Sequence, residues 1–451
     1  MQQWCRKIFL NQLSKRRFVG KINKLTVTLT IVGVLIATLI TKSQTEHFAT
    51  SSPKQVFNSP TTPPVLPVQV IATSSPKQAL NSSTTPSPKQ VLNSPVEVLP
   101  DWAITKSLPI PSRQARQKDS EIVYNLKTPP NFKQSQELQA IVDDVINLTI
   151  AQGLPKKALS ITLIDTKTGE TAGYQQDTPR YPASVVKLFW MVVLYAQIES
   201  GIWKNEKDFT PYVAKMIKES DNEAASFILD KVTQTHSEPE LESEKFKSWK
   251  NKRQQVNRFF QQAGYKDINI SQKTFPIDYL NLPEPKGSEL QMLGNPIWNW
   301  NKITTKQGAR LLYETCYAGQ AVSPQASKKM CTWLKRDLNP KVWQKKSPDS
   351  DGFNPVQTFL GESLSDTNAR FYSKAGWVSR SRAETAMIST GNNGVTYILA
   401  IFAEDSAYAD ETKIFPQISR LVYNRMTSRH SNSTPKGAIH SFTHSRIQER
   451  L

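Results

Sequence analysis

The sequence predicts an α/β fold of the α+β type over residues 131–427. An antiparallel sheet is flanked by helices, and an all-helical subdomain is inserted into it. Three observations predict this. A segment of helical period and a β-hairpin pattern come first, helical patterns fill the middle, and three strand-like runs with a closing helix come last. That order builds one sheet from both ends of the domain and leaves the middle as an insertion.

Each element follows from local pattern. QELQAIVDDVINLTIAQG spaces its apolar residues for a helix and stops at Gly153. ALSITLIDTKTGETAGYQQ alternates apolar and polar residues around a turn at Lys167–Gly169, which reads as a hairpin. YPASVVKLFWMVVLYAQIESG is apolar on nearly every side and reads as a buried helix ending at Gly201. A second helix runs up to Glu219, and NEAASFILDKV forms a third. Residues 235–260 are strongly charged and read as a solvated helical insertion. NKITTKQGARLLYETC is an amphipathic helix capped by Thr304 or Thr305. RFYSKAG, ETAMIST and GVTYILAIFAE read as strands, the last two joined at Gly391–Gly394, and ETKIFPQISRLVYNRM closes the domain as a helix.

The first 130 residues differ in texture. Leu25–Thr41 is seventeen residues without a charge, the short end of what spans a bilayer as a helix. Seven basic residues within 1–24 precede it, so the positive-inside rule puts that end in the cytoplasm and the remainder outside, the periplasm in a two-membrane envelope. A cleaved signal peptide is the rival reading, but no small-x-small cleavage site follows the apolar run. Residues 42–130 are a Pro/Ser/Thr-rich linker. Its thrice-repeated octapeptide appears as SPKQVFNS, SPKQALNS and SPKQVLNS, a composition that cannot assemble a core. Residues 428–451 read as a basic, unstructured tail.

The net charge of +19 follows this geography. Residues 1–130 hold 16 Lys/Arg against 5 Asp/Glu, so the domain itself is only mildly basic. No concentrated basic face or basic/aromatic interleaving supports nucleic-acid binding. Cys5 lies on the cytoplasmic side of the anchor. Cys316 and Cys331 lie in the exported part, where a disulfide is allowed, and no cysteine or histidine spacing suggests a metal site. None of the five histidines falls between 237 and 429, so a histidine base inside the domain is hard to supply.

Two residues fit the buried helix badly. Ser184 and Lys187 stand three apart at its start, so the amine can reach the hydroxyl. The first-turn N–H of Ser184 is free to help hold an oxyanion, and the apolar run after Lys187 favours the neutral amine, which can take a proton from serine. The Ser-x-x-Lys pattern alone means little, since Ser51–Lys54, Ser74–Lys77 and Ser433–Lys436 repeat it in unstructured contexts. Two further motifs give it weight: Ser220-Asp221-Asn222 between two helices, and Lys374-Ala375-Gly376 near the end of a strand. Each has a bland reading, as a helix cap or an exposed strand lysine. Their order on helix, interhelical loop and strand argues for a shared site.

On these motifs residues 135–427 resemble the serine β-lactamase and penicillin-binding-protein superfamily, most closely its class A β-lactamase-like branch. The resemblance implies that Ser184 is the acylated nucleophile and Lys187 its base. It makes Ser220 the proton relay to the leaving nitrogen and Asn222 a substrate ligand. Lys374 would supply positive charge to Ser220 and to a substrate carboxylate. Gly376 would permit close backbone approach, and the N–H groups of Ser184 and Trp377 would form the oxyanion hole. No metal or cofactor is implied, and the substrate would be a small β-lactam or a peptidoglycan-stem-like peptide.

Departures from the pattern qualify the resemblance. Ala375 stands where the family has Thr or Ser, removing a hydroxyl that binds the carboxylate; Arg380 or Arg382 is positioned in sequence to compensate. The gap from Ser184 to Ser220 is short and that from Ser220 to Lys374 is long, so the helical subdomain has been rebuilt. Glu289, in GSELQMLGN, is the candidate base for deacylation, although Leu293 occupies the position where the family pattern has Asn. Three functions follow in order: β-lactam hydrolysis through an acyl-enzyme at Ser184, a D,D-peptidase or cell-wall amidase or esterase, and a non-catalytic wall-binding module.

Overall fold

The computed structural model describes residues 130–295, 299–345, 353–391 and 394–432. The apolar segment 25–41, the linker repeats and residues 433–451 lie outside them. Among the described residues no helix is long and apolar enough to cross a membrane.

Among the described residues, seven strands form one sheet in the order β1-β3-β2-β7-β6-β5-β4. The hairpin pairs β2 (Leu159–Asp165) with β3 (Glu170–Tyr174), and β2 then pairs with β7 (Thr396–Ala403). From β7 the sheet continues through β6 (Ser381–Ser389) to β5 (Arg370–Val378), so both ends of the domain meet in its middle. All of these pairings are antiparallel. The short edge strand β1 (Lys133–Gln134) departs from the expectation by pairing parallel with β3, and β4 (Lys335–Arg336) covers only the first residues of β5. Beyond Tyr372, β5 is therefore free on one side.

Strand alternation feeds two cores. Ile398, Ala400 and Phe402 of β7 face one apolar cluster, while Tyr397, Leu399 and Ile401 face the other. The second cluster is closed by α1 (Gln136–Ala151) and the terminal helix α9 (Ile414–Asn432). The first belongs to the inserted helices, with α2 (Val186–Glu199) at its centre. Ten consecutive residues of α2, Val186 to Tyr195, are buried. Each large apolar side chain among them contributes about 1.5–3 kcal/mol through burial, which is why this helix has no polar face.

Two expectations are corrected. Residues 235–260 do form helices, α4 (Ser243–Arg253) and α5 (Gln255–Gln261), but they are not merely solvated. Trp249, Val256, Phe259, Phe260 and even Arg253 are buried, because α5 packs its aromatic residues against Phe189 and Tyr265. The closing helix continues to Asn432, past the expected boundary at 427. Arg429 holds that last turn down by donating to Asp165 at 2.8 Å and to Glu137 at 2.6 Å. Cys316 and Cys331, left open by the sequence, are joined in a disulfide that ties a π-helical turn at Tyr313–Tyr317 to α8 (Pro324–Leu334). Ahead of this bridge in the chain, α6 (Gly287–Leu293) and α7 (Thr305–Leu312) complete the subdomain, α7 with the full capping box of Thr304 and Gln307.

Candidate active site

The site lies where three backbone segments meet: the turn before α2, the turn before α3 (Asn222–Thr233), and the free end of β5. Ala183–Val185 forms one turn of 3₁₀ helix leading into α2, and Ala183 sits at φ +46°. Lys215–Glu219 forms a π-helical turn, after which Ser220 sits at φ +63°. Left-handed backbone at non-glycine residues costs energy and persists only where surrounding contacts enforce it. Here it occurs at Ser220 and immediately before Ser184. Asp221 caps α3 through its side chain, accepting from the Ala224 N–H at 2.6 Å, so its bland reading holds and the flanking Ser220 and Asn222 remain turned toward the site.

Two Ser–Lys pairs converge there. Lys187 is fully buried, and its Nζ donates to Ser184 Oγ at 3.0 Å, Asn222 Oδ1 at 2.8 Å and the Ser220 carbonyl at 2.5 Å. Burial lowers its pKa to about 7, with the charge of Asp221 opposing the shift. Lys374 is also fully buried, and its Nζ donates to Ser220 Oγ at 2.8 Å and the Ala375 carbonyl at 2.7 Å. Burial, then the charges of Lys187 and Arg336, hold its pKa well below the usual lysine range, with Glu384 acting in the opposite sense. Ser184 and Ser220 are each part-exposed. The site can therefore present each of two part-exposed hydroxyls to a buried lysine Nζ, with Lys187 able to exchange its proton near neutral pH.

Gly376 makes the strand fit the turn. A Cβ there would lie 2.6 Å from the Ser184 amide nitrogen and 2.8 Å from the Pro182 carbonyl, closer than real Cβ atoms come. Trp377 is 45% exposed, and its indole N–H donates to the Ala409 carbonyl at 2.8 Å. Beside it a cavity of about 240 Å³ is lined by Phe353, Thr358, Phe359, Trp377 and Arg382 among others.

The arginine expectations divide. Arg382 is buried and donates to the carbonyls of Tyr408, Thr358 and Ala409, tying β6 to its neighbouring loops. Arg380 is exposed, with its guanidinium 5.4 Å from the Tyr181 ring centroid. Ala375 turns into the core on the other face of the sheet.

Glu289 is not brought to this cluster. It is fully buried on α6, where its carboxylate accepts from Arg253 at 3.0 and 3.2 Å and from Ser237 Oγ at 2.9 Å. Arg253 and Lys273 also bind Asp230, at 3.0 and 2.7 Å, which closes a neutral network of two cations and two anions. The expectation of Glu289 as a water-activating base is therefore corrected: an ion-paired carboxylate engaged at both oxygens holds the helical subdomain together. Among the described residues no carboxylate bonds to Lys187 or Ser184.

Sequence reasoning missed Arg336. Buried in β4, it donates to the carbonyls of Ile217 at 2.7 Å, Lys218 at 3.0 Å and Ser373 at 3.0 Å, binding the π-turn before Ser220 to the strand that carries Lys374. Nothing in the local pattern KRDL distinguishes it from an exposed cation. Glu384 was also passed over, although an acid inside ETAMIST, a strand buried throughout, was a visible signal.

The structure thus brings together the three motifs on which the sequence resembles the serine β-lactamase and penicillin-binding-protein superfamily. The chain belongs to the Beta-lactamase enzyme family, whose model matches residues 137–211 and 209–426. No curated protein sequence matches it. Solved structures similar to it include the β-lactamase of Sphaerobacter thermophilus DSM 20745 at 19% identity, covering 64% of this chain and 98% of that one, with a TM-score of 0.43. The protein titled PBP-A is 15% identical, covering 66% of this chain and 99% of that one, with a TM-score of 0.44. A class A β-lactamase of the last common ancestor of Gram-negative bacteria is 17% identical over 63% of this chain and 98% of that one, with a TM-score of 0.42.

Proposed function

We propose that the chain is a serine hydrolase acylated at Ser184 by the amide carbonyl of a β-lactam or of a peptidoglycan-stem-like peptide, with slow release of the acyl group. The observation that carries the reading is the 3.0 Å hydrogen bond between Lys187 Nζ and Ser184 Oγ, made by an amine that burial brings to a pKa of about 7, so that about half of it is free amine at neutral pH.

The steps follow from the contacts. Lys187 takes the Ser184 proton as Oγ attacks the carbonyl carbon. The backbone N–H groups of Ser184 and Trp377 hold the developing oxyanion, which the close packing of strand on turn at Gly376 supports. The carbon–nitrogen bond then breaks, and the leaving nitrogen takes a proton from Ser220 Oγ. Lys374 stabilises the oxygen left behind, and the proton on Lys187 restores it. Asn222 orients the substrate amide, and Lys374 with Arg380 supplies positive charge toward a substrate carboxylate.

Hydrolysis of the resulting ester needs an activated water. With Glu289 engaged by Arg253, the arrangement favours a long-lived acyl-enzyme of penicillin-binding-protein type, a D,D-peptidase or cell-wall amidase or esterase, over rapid β-lactam turnover. The charge-free segment 25–41 behind a basic N-terminus supports attachment to the cytoplasmic membrane with the domain outside, at the end of a proline-rich tether.

Time-resolved intact-mass measurement with benzylpenicillin tests the reading. A penicilloyl adduct on Ser184, absent from Ser184→Ala and persisting for minutes or longer, is the expected result. No adduct, with no nitrocefin turnover, would leave the non-catalytic wall-binding module in its place; fast turnover would restore the β-lactamase reading.

A further inference from the structure

Glu384 is a fully buried carboxyl that none of the steps above uses. It stands on β6 directly across from Ala375, in the register that pairs Lys374 with Thr385. Its side chain therefore enters the sheet face opposite Gly376, among Ala375, Ala386 and Leu360 of the apolar core. A carboxyl there is costly unless something repays its desolvation. One oxygen accepts the Leu360 N–H at 2.8 Å, and the other has no hydrogen-bond partner among the described residues.

Three cations act on this carboxyl electrostatically: Arg336 of β4, Lys374 of β5, whose side chain leaves the opposite face of the sheet, and Arg382 of the same strand. The Ser373 hydroxyl also favours the anion, from beyond hydrogen-bonding geometry. Burial is the larger influence and pushes the Glu384 pKa up to about 7.

Charge counting around the site makes this acid consequential. Lys187, Lys374 and Arg336 are all fully or nearly fully buried, and Lys187 and Lys374 repel one another. Asp221 acts on Lys187 from the α3 cap, whereas Glu384 acts on Lys374 from behind the strand. Acylation as described needs a free amine on Lys187 and an ammonium on Lys374. A negative charge behind β5 favours that distribution over its reverse, because it stabilises a proton on the nearer lysine.

We propose that Glu384 is a positioning residue whose negative charge keeps the shared proton on Lys374 and so leaves Lys187 free to act as the base. The inference rests on the functional reading of Ser184, Lys187 and Lys374 given above. No group is transferred to Glu384; only the distribution of one proton between two amines changes. The competent state then carries an ionised Glu384 and a neutral Lys187. Ionisation of Glu384 then adds to that of Lys187 on the acid side of the pH profile, and the logarithm of the acylation rate should steepen from a slope of one toward two over the range where Glu384 ionises.

Two measurements on the full chain test this, with wild type, Glu384→Gln and Glu384→Asp compared. The first is the pH dependence of the benzylpenicillin acylation rate. Glu384→Gln should lower the neutral-pH rate and hold the acid-limb slope at about one, while Glu384→Asp should keep the wild-type steepening. The second is the NMR titration of lysine ¹³Cε signals, assigned with Lys187→Arg and Lys374→Arg. In Glu384→Gln the Lys374 signal should change to the free amine about one pH unit or more below its wild-type value, and Lys187 should move the other way.

Unchanged lysine titrations in a folded Glu384→Gln would overturn the proposal, as would a wild-type acid limb that nowhere steepens beyond that of Glu384→Gln. If lysine titrations shift as expected but no Ser184 adduct forms, the functional reading fails and the electrostatic role of Glu384 stands. Should Glu384→Gln not fold, Glu384→Asp decides: a wild-type titration supports the charge, and the displaced one expected of Gln refutes it.

Discussion

The Gly376 Cα lies so close to the Ser184 amide that a Cβ at 376 would come within 2.6 Å of that nitrogen. The obstructing atoms, Ser184 N, Pro182 O and Val185 N, are all backbone, so no side-chain rotation relieves the clash. Gly376→Ala should push strand and turn apart, costing about 1–3 kcal/mol of stability. Thermal unfolding would report that cost, and benzylpenicillin adduct formation should fall much further than unfolding alone explains.

Lys187 ties activity and stability to pH in the same direction. Its folded pKa of about 7 lies below the 10.5 of an ordinary lysine, so between these values the unfolded chain binds more protons than the native one. The contribution of this group to stability therefore increases as pH rises from about 7 to 10.5, and is lowest below 7. Denaturant titrations at pH 6, 8 and 10 should show that rise, and Lys187→Met should flatten it. Lys187→Arg should abolish acylation at every pH tested, because a guanidinium stays protonated.

Glu289 should behave as a structural residue. Glu289→Ala would leave Arg253 buried with Asp230 as its remaining anion, and removing one member of such a network costs about 3–5 kcal/mol. The expected outcome is a large fall in the denaturation midpoint. Any protein that remains folded should form the Ser184 adduct, with an acyl-enzyme lifetime equal to that of wild type.

The Cys316–Cys331 bridge closes a short loop, with a sequence separation of 15. Loop-closure entropy for a span of that length is worth about 3 kcal/mol. Reduction with dithiothreitol, or the paired Cys316→Ser and Cys331→Ser substitution, should lower the melting temperature by several degrees while Ser184 remains reactive. Equal melting temperatures with and without reductant would refute a stabilising role.

The elements carrying Ser184, Asn222 and Lys374 were legible in the sequence because each is written locally. An all-apolar helix, an acidic cap before a helical run and an alternating strand announce themselves within a dozen residues. Solvation was harder to read. The charged run at 235–260 looked exposed because Arg253 is a cation, yet its guanidinium meets Glu289 36 residues away and Asp230 23 residues away. Arg336 was silent for the same reason, since its partners Ile217 and Ser373 lie 119 and 37 residues away in sequence.

Taken by itself, the sequence determined which segments are helix or strand and which side chains could serve as nucleophile, base and relay, since periodicity and short motifs are local properties. Only the tertiary structure decided which of these meet. It set Lys187 3.0 Å from Ser184 and Lys374 2.8 Å from Ser220, and it gave Glu289 to Arg253. The reason is electrostatic: the charge state and reach of a buried ionisable group depend on what long-range packing sets around it, and that environment is assembled from residues distant in the chain.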